Sequence, residues 1–191
     1  MTIEPIVKYI SNLVDVSDNE IKLLSHFFKP SSFPKGTIIE KEDVVAEKLY
    51  FVRKGFVRSF FSKEGIEITT QIIGENKFIT SFNSFTSGIT SKENIQCISD
   101  CEVFYITKSD YEILSNKTVF WGSFCRQIYE KIISNNQQRT IDFIALSAEK
   151  RYLKLLKEQP EIIQNVPIQF IASYIGIKPE SLSRIRKKII S

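Results

Sequence analysis

The sequence predicts an α+β fold: a β-roll, that is a jelly roll of the double-stranded β-helix kind, then one long helix and a C-terminal helix-turn-helix. Three observations predict it. Short runs of β-branched and aromatic residues, cut by glycine corners, fill the stretch from Phe33 to Thr107. A helical period with no interior proline then runs from about Val119 to Ile144. Near the C-terminus Ala172, Gly176 and Pro179 stand at the spacing at which two helices meet across a tight turn. With 191 residues, 42% of them hydrophobic, the chain can bury a core in one large domain or two small ones.

Residues 6 to 28 carry two apolar helical sets, Ile6, Ile10, Leu13 and Val14, then Ile21, Leu24, Phe27 and Phe28, parted by Ser17 and Asp18. Two short helices are expected there. The strand-like runs are Thr37 to Glu40, Leu49 to Arg53, Phe56 to Ser62, Ile66 to Ile73, Ile95 to Ile98 and Glu102 to Ile106, with Gly36, Gly55, Gly65 and Gly74 at the reversals. A helix around Ser109 to Ser115 precedes the long one, on which Trp121, Cys125, Ile128 and Ile132 make a heptad-like stripe. Two expectations compete for that stripe: a seam between two copies of the chain, or packing against its own β-roll. Ser147 suits the N-cap of a further helix, Ala148 to Glu158, with Tyr152, Leu155 and Leu156 facing inward and Pro160 ending it. The expected organisation is a β-roll domain over 1–116, a dimerisation helix and hinge over 117–146, and a helix-turn-helix domain over 147–191.

In the C-terminal segment each landmark has a physical task. Ala172 permits close helix crossing, and Gly176 supplies the positive φ that stops the first helix. Ile177 plugs the corner. Pro179 suits the first turn of the second helix, where no acceptor awaits its missing N–H. Leu182, Ile185 and Ile189 would form the buried face, and at 100° per residue Glu180, Arg184 and Lys187 fall opposite. That face has the chemistry of major-groove readout, with Arg for guanine, Glu for the cytosine amino group and Ser181 for a phosphate or base edge. Arg186, Lys187 and Lys188 are candidate phosphate contacts, with Gln169 and Lys178 beside them.

Charge distribution points the same way. From Lys150 onward nine Lys or Arg face three Glu, while the formal net charge of the whole chain is +4, so a mildly acidic body carries a basic tail. Three cysteines and no run of about 18 uncharged apolar residues favour a soluble protein of a reducing cytoplasm. The first ten residues interrupt their apolar side chains with Glu4, Pro5 and Lys8, unlike a secretory signal. An enzyme is not expected: a cupin-type metal centre needs at least two strand-borne histidines, and His26, alone, sits on a helix. No Walker loop, nucleophile elbow or Cys/His pair is present.

Taken together these segments resemble the Crp/Fnr family of bacterial regulators. Residues 35–39 (Lys-Gly-Thr-Ile-Ile), 49–55 (Leu-Tyr-Phe-Val-Arg-Lys-Gly) and 101–106 (Cys-Glu-Val-Phe-Tyr-Ile) are similar to its β-roll segments, and 148–152 (Ala-Glu-Lys-Arg-Tyr) to the start of its first DNA-domain helix. The resemblance implies a cyclic-nucleotide-binding-like domain, a homodimer on double-stranded DNA and RNA polymerase as a candidate partner. It also implies that Glu180 and Arg184 occupy the family's base-reading positions. Pro179 stands where several members place an Arg, and the expected winged helix is truncated, ending at Ser191 before its hairpin.

The effector segment departs from the pattern. Where cyclic-nucleotide binders of the family carry Gly-Glu and Arg-Ser-Ala, the matching positions hold Thr80-Ser81 and Ser91-Lys92-Glu93. Lys92 is a point charge rather than a bidentate clamp, and Glu93 repels phosphate. A degenerate pocket that does not take cyclic AMP or cyclic GMP is expected, with Phe82 and Phe85 filling or lining it. No cofactor is expected, since an Fnr-type iron–sulfur cluster needs about four cysteine ligands. The competing expectation is a β-roll that serves as a protein-interaction or small-ligand sensor module without binding DNA.

Overall fold

The structure, a computed structural model, describes residues 1–190. Two helices open the chain, α1 (Glu4–Ser11) and α2 (Asp18–Phe27). Ser17 starts α2 by donating to the Glu20 carboxylate from both its N–H and its hydroxyl, at 2.8 and 2.7 Å. Strands β1 (Lys29–Phe33), β2 (Ile38–Glu40), β3 (Lys48–Lys54), β4 (Val57–Lys63), β5 (Ile66–Ile73) and β6 (Lys77–Ile79) follow, then helix α3 (Phe82–Ser87), β7 (Asn94–Cys97) and β8 (Cys101–Thr107). They form two antiparallel sheets, β1-β8-β3-β6 and β2-β7-β4-β5, stacked as the expected roll. Helices α4 (Lys108–Lys117), α5 (Val119–Ala145), α6 (Ala148–Glu158), α7 (Pro160–Asn165), α8 (Ile168–Tyr174) and α9 (Pro179–Ile190) complete the chain.

Strand β3 shows how one apolar run serves two cores. Tyr50 and Val52 point between the sheets and join Val57, Ile95 and Val103. Leu49 and Phe51 point the other way, into a core shared with Ile6, Leu24, Leu114 and Trp121. There Phe51 pairs across the ladder with Phe104 on β8 and Phe78 on β6, its ring 5.0 Å from that of Phe78. A third core lies on the outer side of the second sheet, where Ile72 and Ile98 meet Tyr152, Leu155, Ile162, Ile171 and Leu182 of the C-terminal helices. The corner between β3 and β4 requires glycine: Gly55 has φ +95°, and a Cβ there would lie 2.4 Å from the Asp100 carbonyl oxygen.

Several expectations need correction. Strands β1 and β6 and helices α3 and α7 add to the elements expected from the sequence. Pro160 does not merely stop α6 but opens α7, whose first turn has no use for its N–H. Leu156 is exposed, so α6 turns Tyr152 and Leu155 inward without it. Phe82 and Phe85 neither fill nor line the roll interior; they pack on the helical side with Tyr111 and Trp121.

The stripe on α5 is consumed by the chain's own core. Trp121 is fully buried, Phe124 and Ile128 are buried beside it, and Cys125 and Ile132 pack against the same cluster. Trp121 and Ile128 are thus committed to this core, while Cys125 and Ile132, half-buried, lean on it. At 100° per residue the opposite face carries Val119, Ile133 and Ile144, which are 87%, 66% and 83% exposed.

Candidate nucleic-acid interface

Helices α8 and α9 are joined by residues 175–178 in a turn that satisfies its own backbone. Ile175 N–H donates to Ile171 O at 3.0 Å, Gly176 N–H to Ser173 O at 3.1 Å and Ile177 N–H to Ala172 O at 3.0 Å. Gly176 has φ +75°, and Ala172 is fully buried where the helices approach. Lys178 O then accepts from Ser181 and Leu182 N–H at 3.0 and 3.1 Å, which starts α9.

The faces of α9 divide as the spacing predicts. Leu182 is fully buried and Ile185 packs beside it. Glu180, Arg184, Lys187 and Lys188 are exposed, and Gln169 and Lys178 are exposed at the neighbouring edge. Ser181 is half-buried next to them. Arg186 is half-buried too, because its place on the helix turns it toward the Leu182 side rather than outward. Ile189 departs from expectation: it is 37% exposed, one turn beyond the neighbours that cover Leu182 and Ile185. Lys188 Nζ pairs with the Glu149 carboxylate at 3.1 Å, which ties the end of α9 to the start of α6. Ser147 caps α6, its hydroxyl accepting from Lys150 N–H at 3.3 Å.

The unit is docked on the roll through a residue that no sequence motif marks. Arg58 on β4 is almost wholly buried, with its guanidinium 4.0 Å from the ring centre of Phe60 and 3.9 Å from that of Phe170 on α8. It donates to Gln96 Oε1 at 2.9 and 2.7 Å and pairs with Glu67. Beside it Thr69 N–H donates to Ser173 Oγ at 2.9 Å. Nothing in the run around Arg58 marks it, since apart from Phe60 its partners lie on β5, β7 and α8.

At the degenerate effector positions the structure brings carboxylates where a phosphate site would need cations. Thr80, Ser81 and Ser91 are buried, whereas Lys92 is exposed. Glu40 is buried among them, accepting from Thr80 Oγ1 at 3.1 Å and from Ser81 N–H at 2.9 Å. Burial pushes its pKa up to about 7, against the pull of those two hydrogen bonds. Glu93 is raised for the same reason, although Thr70 Oγ1 donates to it at 3.2 Å. Glu40 was not singled out from sequence, because β2 reads as an ordinary short strand.

Residues 30–117 match the cyclic nucleotide-binding domain family. No curated protein matches the chain significantly. Solved structures share the fold across nearly the whole length. A protein from Eubacterium rectale described as a transcriptional regulator of the Crp/Fnr family is 20% identical, with a TM-score of 0.70 over 91% of this chain and 83% of its own. FixK2 from Bradyrhizobium japonicum is 20% identical, with a TM-score of 0.69 over 85% and 84%. The c-di-GMP responsive global regulator CLP of Xanthomonas campestris is 17% identical, with a TM-score of 0.68 over 91% of each chain. Among the described residues no helix is long and apolar enough to cross a membrane.

Proposed function

We propose that this chain, a cyclic nucleotide-binding domain set on the fold of Crp/Fnr regulators, is a sequence-specific DNA-binding transcription regulator. One observation carries the reading: α9 buries Leu182 completely while holding Glu180, Arg184, Lys187 and Lys188 in solvent. Such a helix delivers a bidentate cation and a carboxylate to base edges, with lysines placed for phosphates. The protein acts as a homodimer through the outward face of α5, which sets two α9 helices about 34 Å apart on a pseudo-palindromic site. It is not an enzyme, works in the cytoplasm and meets RNA polymerase at the promoter.

The roll does not answer to cyclic AMP in this reading. A phosphate at the degenerate site would face Glu40 and Glu93 rather than a guanidinium. Selection of bound duplexes from a random pool, followed by sequencing, tests the main claim. A symmetric motif is expected, and Arg184→Ala costs about 1 to 3 kcal/mol against its preferred base. Enrichment of no motif would sink the assignment. Calorimetry should detect no micromolar cyclic AMP binding, and finding it would reverse the second claim.

A further inference from the structure

A cleft of about 550 Å³ lies between the roll, α5 and the C-terminal helices, and none of Thr80, Ser81, Ser91 or Lys92 lines it. Its walls come from three parts of the chain: Ile73 and Lys77 of the roll, the α5 face from Ile128 to Phe143, and Arg151, Leu155 and Tyr174 beyond the hinge. It is of the size that holds small ligands in proteins. The α5 residues that line it lie opposite the exposed Val119, Ile133 and Ile144, so a partner on that outer face leaves the cleft open.

The charges in the cleft do not balance. Lys77, Lys131, Arg139, Arg151 and Lys154 line it against the carboxylates of Asp142 and Glu158. Asp142 is spent on Lys154, 2.6 Å away. Arg139 is half-buried with no carboxylate partner among the described residues: its Nη2 donates to Tyr174 O at 2.9 Å, and its guanidinium lies 4.2 Å from the Tyr174 ring centre. Arg151 likewise serves carbonyls, donating to Ile175 O at 3.0 Å and Leu146 O at 2.6 Å. Among the described residues Lys77 reaches the Gln159 amide oxygen, at 3.4 Å. Such cations favour an anion, while Ile72, Ile128, Ile132 and Leu155 offer it an apolar floor.

We propose that this cleft is a binding site for an amphipathic anion, an acidic head on an aromatic or hydrocarbon body, and that its occupancy sets how the C-terminal helices sit on the roll. The geometry supplies the link, because Arg139 and Arg151 hold the carbonyls of Tyr174 and Ile175, immediately before Gly176 of the turn into α9. An anion drawn to these guanidinium groups and to Lys77 joins the roll to the base of the helix-turn-helix. The effect on DNA rests on the function proposed above; the site itself does not.

The probe is 8-anilinonaphthalene-1-sulfonate, compared with the uncharged N-phenyl-1-naphthylamine, on the full chain. One sulfonate probe per chain should bind saturably, and the Lys77→Gln/Lys131→Gln double variant should weaken it about tenfold or more, the worth of charge-assisted hydrogen bonds. Lys131 is exposed and half-buried Lys77 gives up one long hydrogen bond, to Gln159, so the fold is kept. The neutral probe should bind the variant as it binds the parent, and Lys35→Gln, far from the cleft, should change neither. Equal loss of both probes, no loss, or several equivalent sites would overturn the proposal. In a second arm, saturating sulfonate probe should shift the affinity for a selected duplex at least fivefold in the parent and not in the double variant. An unchanged affinity refutes the coupling. Probe binding as expected by a protein that binds no duplex refutes the DNA-binding function and leaves the site standing, whereas duplex binding without the probe site refutes the site alone.

Discussion

Gly176 is the residue on which the turn depends, for two separate reasons. Its φ of +75° is costly for any side chain, and a Cβ would come within 2.6 Å of the Phe143 ring. Moving that ring disturbs the contacts of Arg139 and Arg151, which both lie over it, at 5.2 and 4.7 Å. Gly176→Ala should therefore lower stability by about 1 to 3 kcal/mol in urea unfolding, and an unchanged midpoint would show that the ring gives way. Glu40 makes a different kind of prediction, with a definite sign. Its pKa is about 7 in the fold and about 4.5 when unfolded, so the native state holds the extra proton between those values and stability falls as pH rises through that window. Glu93, raised as well, adds to the slope; Asp142 and Glu20, both lowered, act in the opposite sense and at lower pH. Unfolding at pH 5 and pH 8 should show the parent losing on the order of 3 kcal/mol and Glu40→Gln losing much less. Equal losses in the two proteins would mean that Glu40 is solvated.

At the scale of elements, α5 shows how far a sequence period can be read and where it stops. The period located the helix to within a residue at each end, yet the stripe of Trp121, Cys125, Ile128 and Ile132 had two equally regular uses. What decided between them was the sheet's outer face: Phe51, Phe78 and Phe104 stand exposed unless a helix covers them, and no local pattern on α5 records that demand. The same reason explains the missed elements. Strand β1 contains Pro30, Ser31 and Ser32, poor strand formers that hold only because β8 supplies the register, and β6 is three residues long. The helix-turn-helix was legible because its turn is local, fixed by residues within ten positions of one another. Its docking partner on the roll was not. The assignment of the two faces of α5 is testable by contrast. Ile133→Asp with Ile144→Asp should convert the proposed dimer to monomer in sedimentation while leaving the thermal transition of the monomer nearly intact, as expected of exposed sites. Trp121→Ala should instead cost about 3 to 5 kcal/mol of fold stability. A dimer that survives the two aspartates places the seam elsewhere.

For the whole molecule, the decisive question is how firmly the C-terminal helices are seated on the roll, because a rigid seat fixes where α9 points. The seat has an apolar part, Ile72 and Ile98 against Ile171 and Ile175, and a polar part centred on Arg58. Arg58 is buried from both sides: Gln96 and Glu67 satisfy the guanidinium edge, and Phe60 and Phe170 cover its faces. Only Phe170 belongs to the docked helices, so the stacking, together with the Thr69 to Ser173 hydrogen bond, couples the two parts. Removing the guanidinium leaves Gln96 Oε1 without its donor and opens a gap under Phe170, a loss of about 2 to 4 kcal/mol from charge-assisted hydrogen bonds and cation–π contact together. Phe170→Leu keeps the apolar volume and gives up the stacking alone, so it should cost about 1 kcal/mol. Hydrogen exchange separates the consequences. In Arg58→Met the amides of α6 to α9 should exchange faster while those of β3 and β8 keep their protection, because the Phe51 core on the far side of the roll is untouched. Uniform acceleration across the chain would show instead that roll and C-terminal helices unfold as a single cooperative unit, with Arg58 part of its common core.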